Sequence, residues 1–355
     1  MSGIDTSGIK RVLVIKFRHI GDVLLSAPVF RALKTAIPGV RTTALVLAGT
    51  EDMLSLNPNV DEVITFKRGQ GIAEDLRLVG RLRAGCFDLA INMTEGDRGV
   101  ILAFLSGAPY RVGIDPESRG FVGKRMLLTH PVKQVYDGRH RAVIDLDMLG
   151  PLGVTESAPI VELYTSQEDD SYIESLLKEH GVGSYTPLAV VHPTSRWLFK
   201  CWRDEAVAEV VDYLEGRGIR VALTSGPDAR ELEKIKNIRA FADSKPIDLS
   251  GMLSLKSLAS LCKRASLFFG VDTAPMHIAA AVGTPVIALF GPSDYRLWGP
   301  LSDKAKVIAK TVEFPCIPCM KDGCGGSKKS RCLDAITVEE AIEAIDESIV
   351  RLPHA

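Results

Sequence analysis

The chain has 355 residues, which exceeds the usual size of one domain and predicts two. Apolar residues make up 46% and charged residues 25%, as in an ordinary soluble globular protein. Lys and Arg total 43 against 44 for Asp and Glu, so the bulk charge gives no support for nucleic-acid binding. No apolar run reaches the length of a membrane span, and the first residues lack the apolar core of a signal peptide, so a cytoplasmic protein is expected.

The first half alternates strand-like and helix-like segments. Four β-branched or apolar runs predict buried strands at 10–17, 42–49, 62–66 and 88–93. Amphipathic segments predict helices at 21–39 and 73–85. This alternation predicts βαβ units and a parallel sheet, while residues 110–165 are less regular.

The same alternation returns after an acidic helix start at 166–181. Strands are predicted at 187–193, 220–226, 246–251, 266–272 and 285–291, and a last helix at 337–352. The predicted fold class is therefore α/β, with two Rossmann-like doubly wound domains at 1–165 and 166–336. The terminal segment 337–355 is expected to pack back on the first domain.

In such sheets ligands bind beyond the carboxyl ends of the strands, which directs attention to four strand ends. After the first strand, Gly21 permits a tight turn and Asp22 begins a helix. Asp22 is either a helix N-cap or a general base. The glycine fingerprint of dinucleotide-binding folds is absent from both halves, which disfavours an NAD-dependent oxidoreductase.

Two further strand ends lie in the second half. Thr194, Ser195 and Lys200 supply hydroxyls and an ammonium suited to a phosphate or diphosphate, although ordinary capping residues would look the same. Asp228 follows the next strand and either caps a helix or accepts hydrogen bonds from a ribose.

The fourth strand ends at Asp272, and a helix begins directly after it. The amides around Thr273 and Ala274 fall at the helix N-terminus, where unpaired N–H groups and the helix dipole favour an anion. His277 lies in the first turn of the same helix. The cluster predicts an anion site, whereas a lone histidine here would more often be structural.

Four stretches in this order resemble glycosyltransferase family 9, the bacterial ADP-heptose:lipopolysaccharide heptosyltransferases. They are RVLVIKFRHIGDVLLSAPVFRALK, HPTSRWLFKCW, SGPDARE and GVDTAPMHIAAAVGTPVIALFGPSD. The tail CIPCMKDGCGGSKKSRCLDAI is most similar to the heptosyltransferase III branch. The resemblance implies the GT-B fold, in which two Rossmann-like domains face each other across a cleft, with the acceptor on the N-terminal domain and the nucleotide sugar on the C-terminal domain.

The resemblance also implies roles for individual residues. Asp22 matches the proposed catalytic base, and Lys200 matches a group that stabilises the departing diphosphate. Arg18 and His19, beside Asp22, are expected to contact the acceptor. The implied donor-binding residues are Thr194, Ser195, Lys200, Asp228, Met252, Asp272, Thr273, Ala274 and His277. Ala274 stands where many members have Gly, and Asp228 is one methylene shorter than the Glu of some members.

Four cysteines near the C-terminus form the pattern C-x2-C-x4-C-x7-C: Cys316, Cys319, Cys324 and Cys332. Close thiols of this kind are typical of zinc or iron–sulfur ligands, but a zinc ribbon has two CxxC pairs and this segment has one. We expect a loop of reduced thiols, with a metal site as the alternative and no cofactor required for the reaction.

The expected reaction is the inverting transfer of a heptose from ADP-heptose to the inner core of lipopolysaccharide. The implied partners are the donor, the glycolipid acceptor and the inner face of the inner membrane, touched transiently and peripherally, and no nucleic acid. A nucleotide-sugar epimerase, another GT-B transferase with a different activated sugar, and a non-catalytic metal-binding module are the alternatives.

Overall fold

Twelve strands form two six-stranded parallel sheets in this computed structural model, which describes residues 3–117, 119–155 and 158–350. The chain divides into two units at the 162/163 boundary. The first sheet contains β1 Arg11–Lys16, β2 Arg41–Leu47, β3 Glu62–Phe66, β4 Leu89–Asn92, β5 Tyr110–Ile114 and β6 His130–Val132. The second contains β7 Leu188–His192, β8 Arg220–Leu223, β9 Ile247–Asp248, β10 Leu267–Val271, β11 Val286–Phe290 and β12 Ala305–Ala309.

Helices follow most of the strands. In the first unit they are α1 Ile20–Leu24, α2 Ala27–Ala36, α3 Ile72–Ala84, α4 Asp97–Leu105 and α5 Arg141–Leu146. In the second they are α6 Gln167–Glu179, α7 Asp204–Gly216, α8 Ala229–Phe241, α9 Leu255–Arg264, α10 Ala274–Ala281, α11 Tyr295–Trp298, α12 Arg331–Asp334 and α13 Val338–Val350. Short 3₁₀ turns lie at Glu51–Met53, Lys124–Leu127, Asp147–Leu152, Leu198–Lys200 and Cys324–Gly326.

The central strands are buried along nearly their whole length. In β1 every residue after Arg11 is buried, and β7, β10 and β11 are buried throughout. Such continuous apolar strands are expected where helices cover both faces of a parallel sheet. The prediction of two Rossmann-like α/β domains is confirmed, and all the predicted strands are present, with ends shifted by a few residues.

Three strands escaped prediction: β5, β6 and β12. They are short, partly exposed and lie at or near the sheet edges, so their sequences lack a long apolar run. The single helix predicted at 21–39 is divided into α1 and α2. Pro28 lies at the start of α2, and proline suits the first turn of a helix but not its interior.

The C-terminal helix α13 packs within the second unit. It contacts α7 and β12, and Ala341, Ala344 and Ile345 belong to the same buried cluster as Trp202. The expectation that this segment packs on the first domain therefore differs from what is seen for residues 338–350, and residues 351–355 lie outside the described chain. Among the described helices, none has the length and apolarity that a membrane span requires.

Candidate active site

The first unit places Asp22 at the point where its strand order reverses. The sheet order is β3-β2-β1-β4-β5-β6, so the chain leaves β1 in one direction for β2 and β3 and later returns to its other side as β4. Open α/β sheets bind ligands at the carboxyl end of this switch point. Asp22 lies in α1, the helix that follows β1.

The Asp22 side chain is largely buried, but its carboxylate is not fully hydrogen-bonded. The side chain is 12% exposed, and its Oδ1 atom has no hydrogen-bond partner among the described residues. The Arg18 Nε atom is 3.8 Å from Oδ1, which is an ion pair rather than a hydrogen bond. His19 is exposed and occupies the N-cap position of the helix through its backbone. Asp22 is thus not the helix cap, and its buried Oδ1 atom lacks a hydrogen-bond donor among the described residues.

A buried ionic network lies beside this carboxylate. The Lys16 Nζ atom, at the end of β1, is 2.6 Å from Asp145 Oδ2, and the two side chains are 1% and 0% exposed. Arg141 donates to the other Asp145 oxygen at 2.6 Å. Burial lowers the pKa of Lys16 from its ordinary value, although the charges of Asp145 and, more weakly, Asp22 oppose that shift. Lys16 therefore acts electrostatically on both carboxylates.

A cavity of 320 Å³ opens at the carboxyl ends of the strands in the same unit. Its wall includes residues that end or directly follow β1 to β4: Phe17, Leu47, Phe66 and Thr94. Arg68 and Arg98 also line it, and the Arg98 guanidinium lies 4.8 Å from the centre of the Phe66 ring. Two guanidinium groups at the strand ends suit an anionic sugar or phosphate.

The second unit has its own switch point between β7 and β10, because its sheet order is β12-β11-β10-β7-β8-β9. In these neighbouring strands His192 is paired in register with Gly270. The segments that follow them carry Thr194, Ser195 and Lys200 on one side and Asp272 to His277 on the other. The sheet therefore brings together two stretches that are far apart in the sequence.

Lys200 and Asp272 make the closest contact between these two stretches. The Lys200 Nζ atom is 2.6 Å from Asp272 Oδ2, and the side chains are 23% and 8% exposed. Helix α10 begins after Thr273, with Ala274 as its first residue, and none of the side chains described in this region caps it. An ammonium group and an uncapped helix N-terminus thus lie together at the carboxyl ends of β7 and β10, as an anion site requires.

Thr194 and Glu231 form the second contact at this edge. Thr194 is fully buried, and its hydroxyl donates to Glu231 Oε2 at 2.6 Å. The Gly226 amide donates to the same oxygen at 3.1 Å. Sequence reasoning passed over Glu231, although it ends the SGPDARE stretch and stands at the third position of α8, where a glutamate commonly folds back onto the preceding turn.

Asp228 has the structure of a helix cap. Its side chain accepts a hydrogen bond from the Arg230 amide at 3.0 Å and pairs with the Arg230 guanidinium. Met252 is 57% exposed and follows Gly251, which has a φ of 68°. A Cβ at Gly251 would lie within 3.4 Å of the Pro227 backbone, so the turn bearing Met252 packs against the turn before α8.

Two other predicted residues, and His192, are buried at the same end of the sheet. Ser195 is buried, and its hydroxyl accepts from the Trp197 amide at 3.3 Å. His277 is buried in the first turn of α10. His192 lies within hydrogen-bond distance of the Thr224 hydroxyl, and burial lowers the pKa of its imidazole to about 3, so the ring is neutral at physiological pH. His192 is therefore a structural residue of β7.

The C-terminal cysteines are all free thiols. Among the described residues, no three His, Cys, Asp or Glu side chains are grouped as metal ligands would be. Burial raises the pKa of Cys332 to about 11, so this thiol is protonated at neutral pH. The Cys332 sulfur lies near Gly291, just after β11, which places this segment by the strand ends of the second sheet.

Comparisons with known proteins identify the family of this chain. The family model Glycosyltransferase family 9 (heptosyltransferase) matches residues 76–329. The chain belongs to glycosyltransferase family 9. Lipopolysaccharide heptosyltransferase 3 of Escherichia coli is 34% identical over 292 residues, which cover 81% of this chain and 85% of that protein. The resemblance expected from the sequence, including that to heptosyltransferase III, is confirmed.

Solved structures of this family share the whole fold. A family 9 glycosyltransferase from Veillonella parvula superposes with a TM-score of 0.86 at 25% identity, covering 99% of both chains. The E. coli ADP-heptose lps heptosyltransferase II superposes with a TM-score of 0.76 at 22% identity, covering 96% of this chain and 99% of that one. These likenesses agree with the GT-B fold of two Rossmann-like domains.

Proposed function

We propose that this family 9 enzyme transfers a heptose from ADP-heptose to the lipopolysaccharide core with inversion at the anomeric carbon. The similarity to E. coli lipopolysaccharide heptosyltransferase 3 supports the donor and acceptor classes. The observation that carries the mechanism is the buried Asp22 Oδ1 atom at the first switch point, which has no hydrogen-bond partner among the described residues. A buried carboxylate oxygen without a donor is costly, and a substrate hydroxyl would supply one.

In the proposed step, Asp22 accepts the proton of the acceptor hydroxyl while that oxygen attacks the anomeric carbon. The new bond to the acceptor forms as the bond from the heptose to the ADP oxygen breaks, and ADP leaves with the electron pair. The transition state has oxocarbenium character, as in glycoside hydrolysis. Arg18 and His19 are the proposed acceptor contacts at this carboxylate.

In this proposal, groups of the second unit stabilise the negative charge that develops on the departing ADP. Lys200, held by Asp272, and the amides at the start of α10 around Thr273 and Ala274 are the proposed diphosphate site. Ser195 and His277 complete its wall. Preorganised donors of this kind commonly provide the largest part of catalysis. With these groups neutralising the diphosphate, the reaction as proposed needs no cofactor.

We assign the adenosine ribose to Glu231 and give Thr194 a supporting role. Thr194 donates its only proton to Glu231, so this hydroxyl orients the carboxylate rather than the phosphate. Met252, exposed on the adjoining turn, is the proposed apolar contact for adenine. Asp228 is already paired with Arg230 and remains the alternative ribose ligand.

The substitution Asp22→Asn tests the proposed base. It preserves the shape of the side chain and removes its basicity, so we expect transfer to fall by about 10³-fold or more while ADP-heptose affinity stays within about twofold. ADP release with and without acceptor measures transfer, and calorimetry measures donor affinity. Turnover at the wild-type rate would remove Asp22 from the mechanism.

A matched pair of variants separates the two candidate ribose ligands. We expect Glu231→Gln to weaken ADP binding about tenfold, because a charged acceptor of hydrogen bonds is lost. Asp228→Asn should leave affinity unchanged, because asparagine caps a helix as well as aspartate. Calorimetry with ADP measures both affinities. If Asp228→Asn weakened ADP binding more than Glu231→Gln does, Asp228 would be the ribose ligand.

A further inference from the structure

Two neighbouring helices of the first unit expose large apolar side chains. On α3, Ile72 is 81% exposed and Leu76 is 67% exposed. On α4, Ile101 is 37% exposed and Phe104 is 47% exposed. Single exposed apolar residues are normal, but a set on adjacent helices marks an interaction surface. We call these four residues and the groove between their helices the α3–α4 face.

The groove has a volume of 410 Å³ and an apolar floor. From α3 it is lined by Asp75 and Val79, which share one stripe of the helix with Ile72 and Leu76. From α4 the lining includes Ile101, Leu102 and Leu105. The two apolar stripes therefore face one continuous groove rather than forming separate patches.

Several arginines lie on or beside the two helices of this face. The guanidinium groups on or beside the two helices belong to Arg68, Arg77, Arg81, Arg83, Arg98 and Arg111. The carboxylates in the same region belong to Glu62, Glu74, Asp75 and Asp97, so the arginines exceed them by two. Arg77 is ion-paired with Glu74 and Arg81 with Glu62. Arg111 lies 5.6 Å from the centre of the Phe104 ring, so a cation and an exposed aromatic side chain are presented together. Exposed apolar side chains within a rim of excess positive charge are typical of helices that bind anionic membranes.

We propose that the α3–α4 face docks on an anionic lipid bilayer, with its apolar side chains in the interfacial region and its arginines at the headgroups. A second copy of the chain is a poorer occupant, because pairing this face with itself would oppose the two arginine rims. The groove shares Phe66, Asp97 and Arg98 with the cavity at the strand ends. A glycolipid held in the bilayer would thus lie next to the cavity, a link that rests on the proposed function.

Vesicle binding of the full chain, without donor or acceptor, tests the surface directly. The double variant Ile72→Gln/Leu76→Gln removes apolar area with residues that favour a helix. We expect it to bind vesicles of phosphatidylcholine and phosphatidylglycerol at least about tenfold more weakly than the unmodified protein. Arg77→Gln/Arg81→Gln should reduce the preference for phosphatidylglycerol by about fivefold per arginine, and high salt should do the same.

The matched control is Tyr185→Gln/Val312→Gln, which changes two side chains of the second unit that are 95% and 89% exposed. It should bind vesicles as the unmodified protein does. All variants should keep heptose transfer to a water-soluble core oligosaccharide, which separates failure of docking from failure of the proposed reaction. The proposal would be overturned if the Ile72→Gln/Leu76→Gln variant bound vesicles as tightly as the unmodified protein, or if the unmodified protein did not bind them. It would also be overturned if sedimentation showed that the unmodified protein is a dimer and that this variant is a monomer.

Discussion

A buried lysine beside the candidate base belongs to an ionic network. Lys16, Asp145 and Arg141 form an almost fully buried network, and Lys16 also acts on Asp22. Burying charges is expensive, and removing one partner of a buried pair commonly costs about 3–5 kcal/mol. Here Asp145 is shared by two cations, so it keeps a partner when either one is removed.

This sharing makes Lys16→Met a usable test of electrostatic support for Asp22. Lys16→Met removes a cation beside Asp22, so we expect kcat/KM for transfer to fall about tenfold while ADP-heptose affinity stays within about twofold. Steady-state rates and calorimetry measure the two quantities. The control is Lys34→Met, which removes a cation paired with Asp61. A purely structural role would lower the free energy of unfolding and leave kcat/KM of the folded protein unchanged.

The sequence predicts positions best in the segments that follow buried strands. The placement of Asp22, Lys200 and Asp272 near the carboxyl ends of the strands could be predicted, because the segments after parallel strands lie at one end of the sheet, whereas their roles remain predictions. Asp145 and Arg141 were not, because they come from the irregular stretch between 110 and 165 and reach the site only through the tertiary fold. Glu231 was missed because its position on α8 looks like ordinary helix capping.

At the scale of elements, the start of α6 is tied to α9 by one carboxylate. Asp170 accepts hydrogen bonds from Lys263, Ser260 and Thr165 at 2.7 to 2.9 Å. Burial acts to raise the pKa of Asp170, but these hydrogen bonds outweigh it and hold the pKa below its ordinary value. A carboxylate whose pKa is lower in the folded state stabilises the fold above its unfolded pKa, near 3.9, and loses that effect as pH falls through the folded value.

We therefore expect Asp170→Asn to lower the free energy of unfolding by about 1–2 kcal/mol at pH 7. The difference from the unmodified protein should shrink as pH falls below about 4, where the native carboxylate itself becomes protonated. Urea unfolding at both pH values measures it. Glu168→Gln, an exposed change in the same helical turn, is the control and should be near neutral. A penalty that stayed constant with pH would show that Asp170 acts through packing alone.

Elements were predictable where burial is continuous and were missed where it is not. The runs that became β1, β7, β10 and β11 carry uninterrupted apolar residues, whereas β12 is only partly buried throughout. The break between α1 and α2 depends on Pro28, whose missing N–H suits a helix start. Periodicity therefore identifies the centre of each sheet better than its edges.

At the scale of the molecule, the last helix completes the core of the second unit. Ile345 is fully buried in the cluster that contains Trp202 and residues of α7. Ile345→Ala should destabilise this unit by about 2–5 kcal/mol, because it leaves a cavity in a packed interior. Hydrogen exchange should accelerate at residues 163–350 and much less at residues 3–155. Val312→Ala, at an exposed site, should change neither region, and equal acceleration in both would contradict this placement of α13.

The position of β1 in the middle of its sheet has a consequence for biosynthesis. Of the six strands in its sheet, β1 comes first in the chain, but its second neighbour, β4, follows only at residues 89–92, and until then one side of the strand has no backbone partner. Unpaired apolar strand edges attract other chains. Nascent chains that pause before residue 89 should therefore be the form most dependent on chaperones, and slow codons would be least tolerated in that interval.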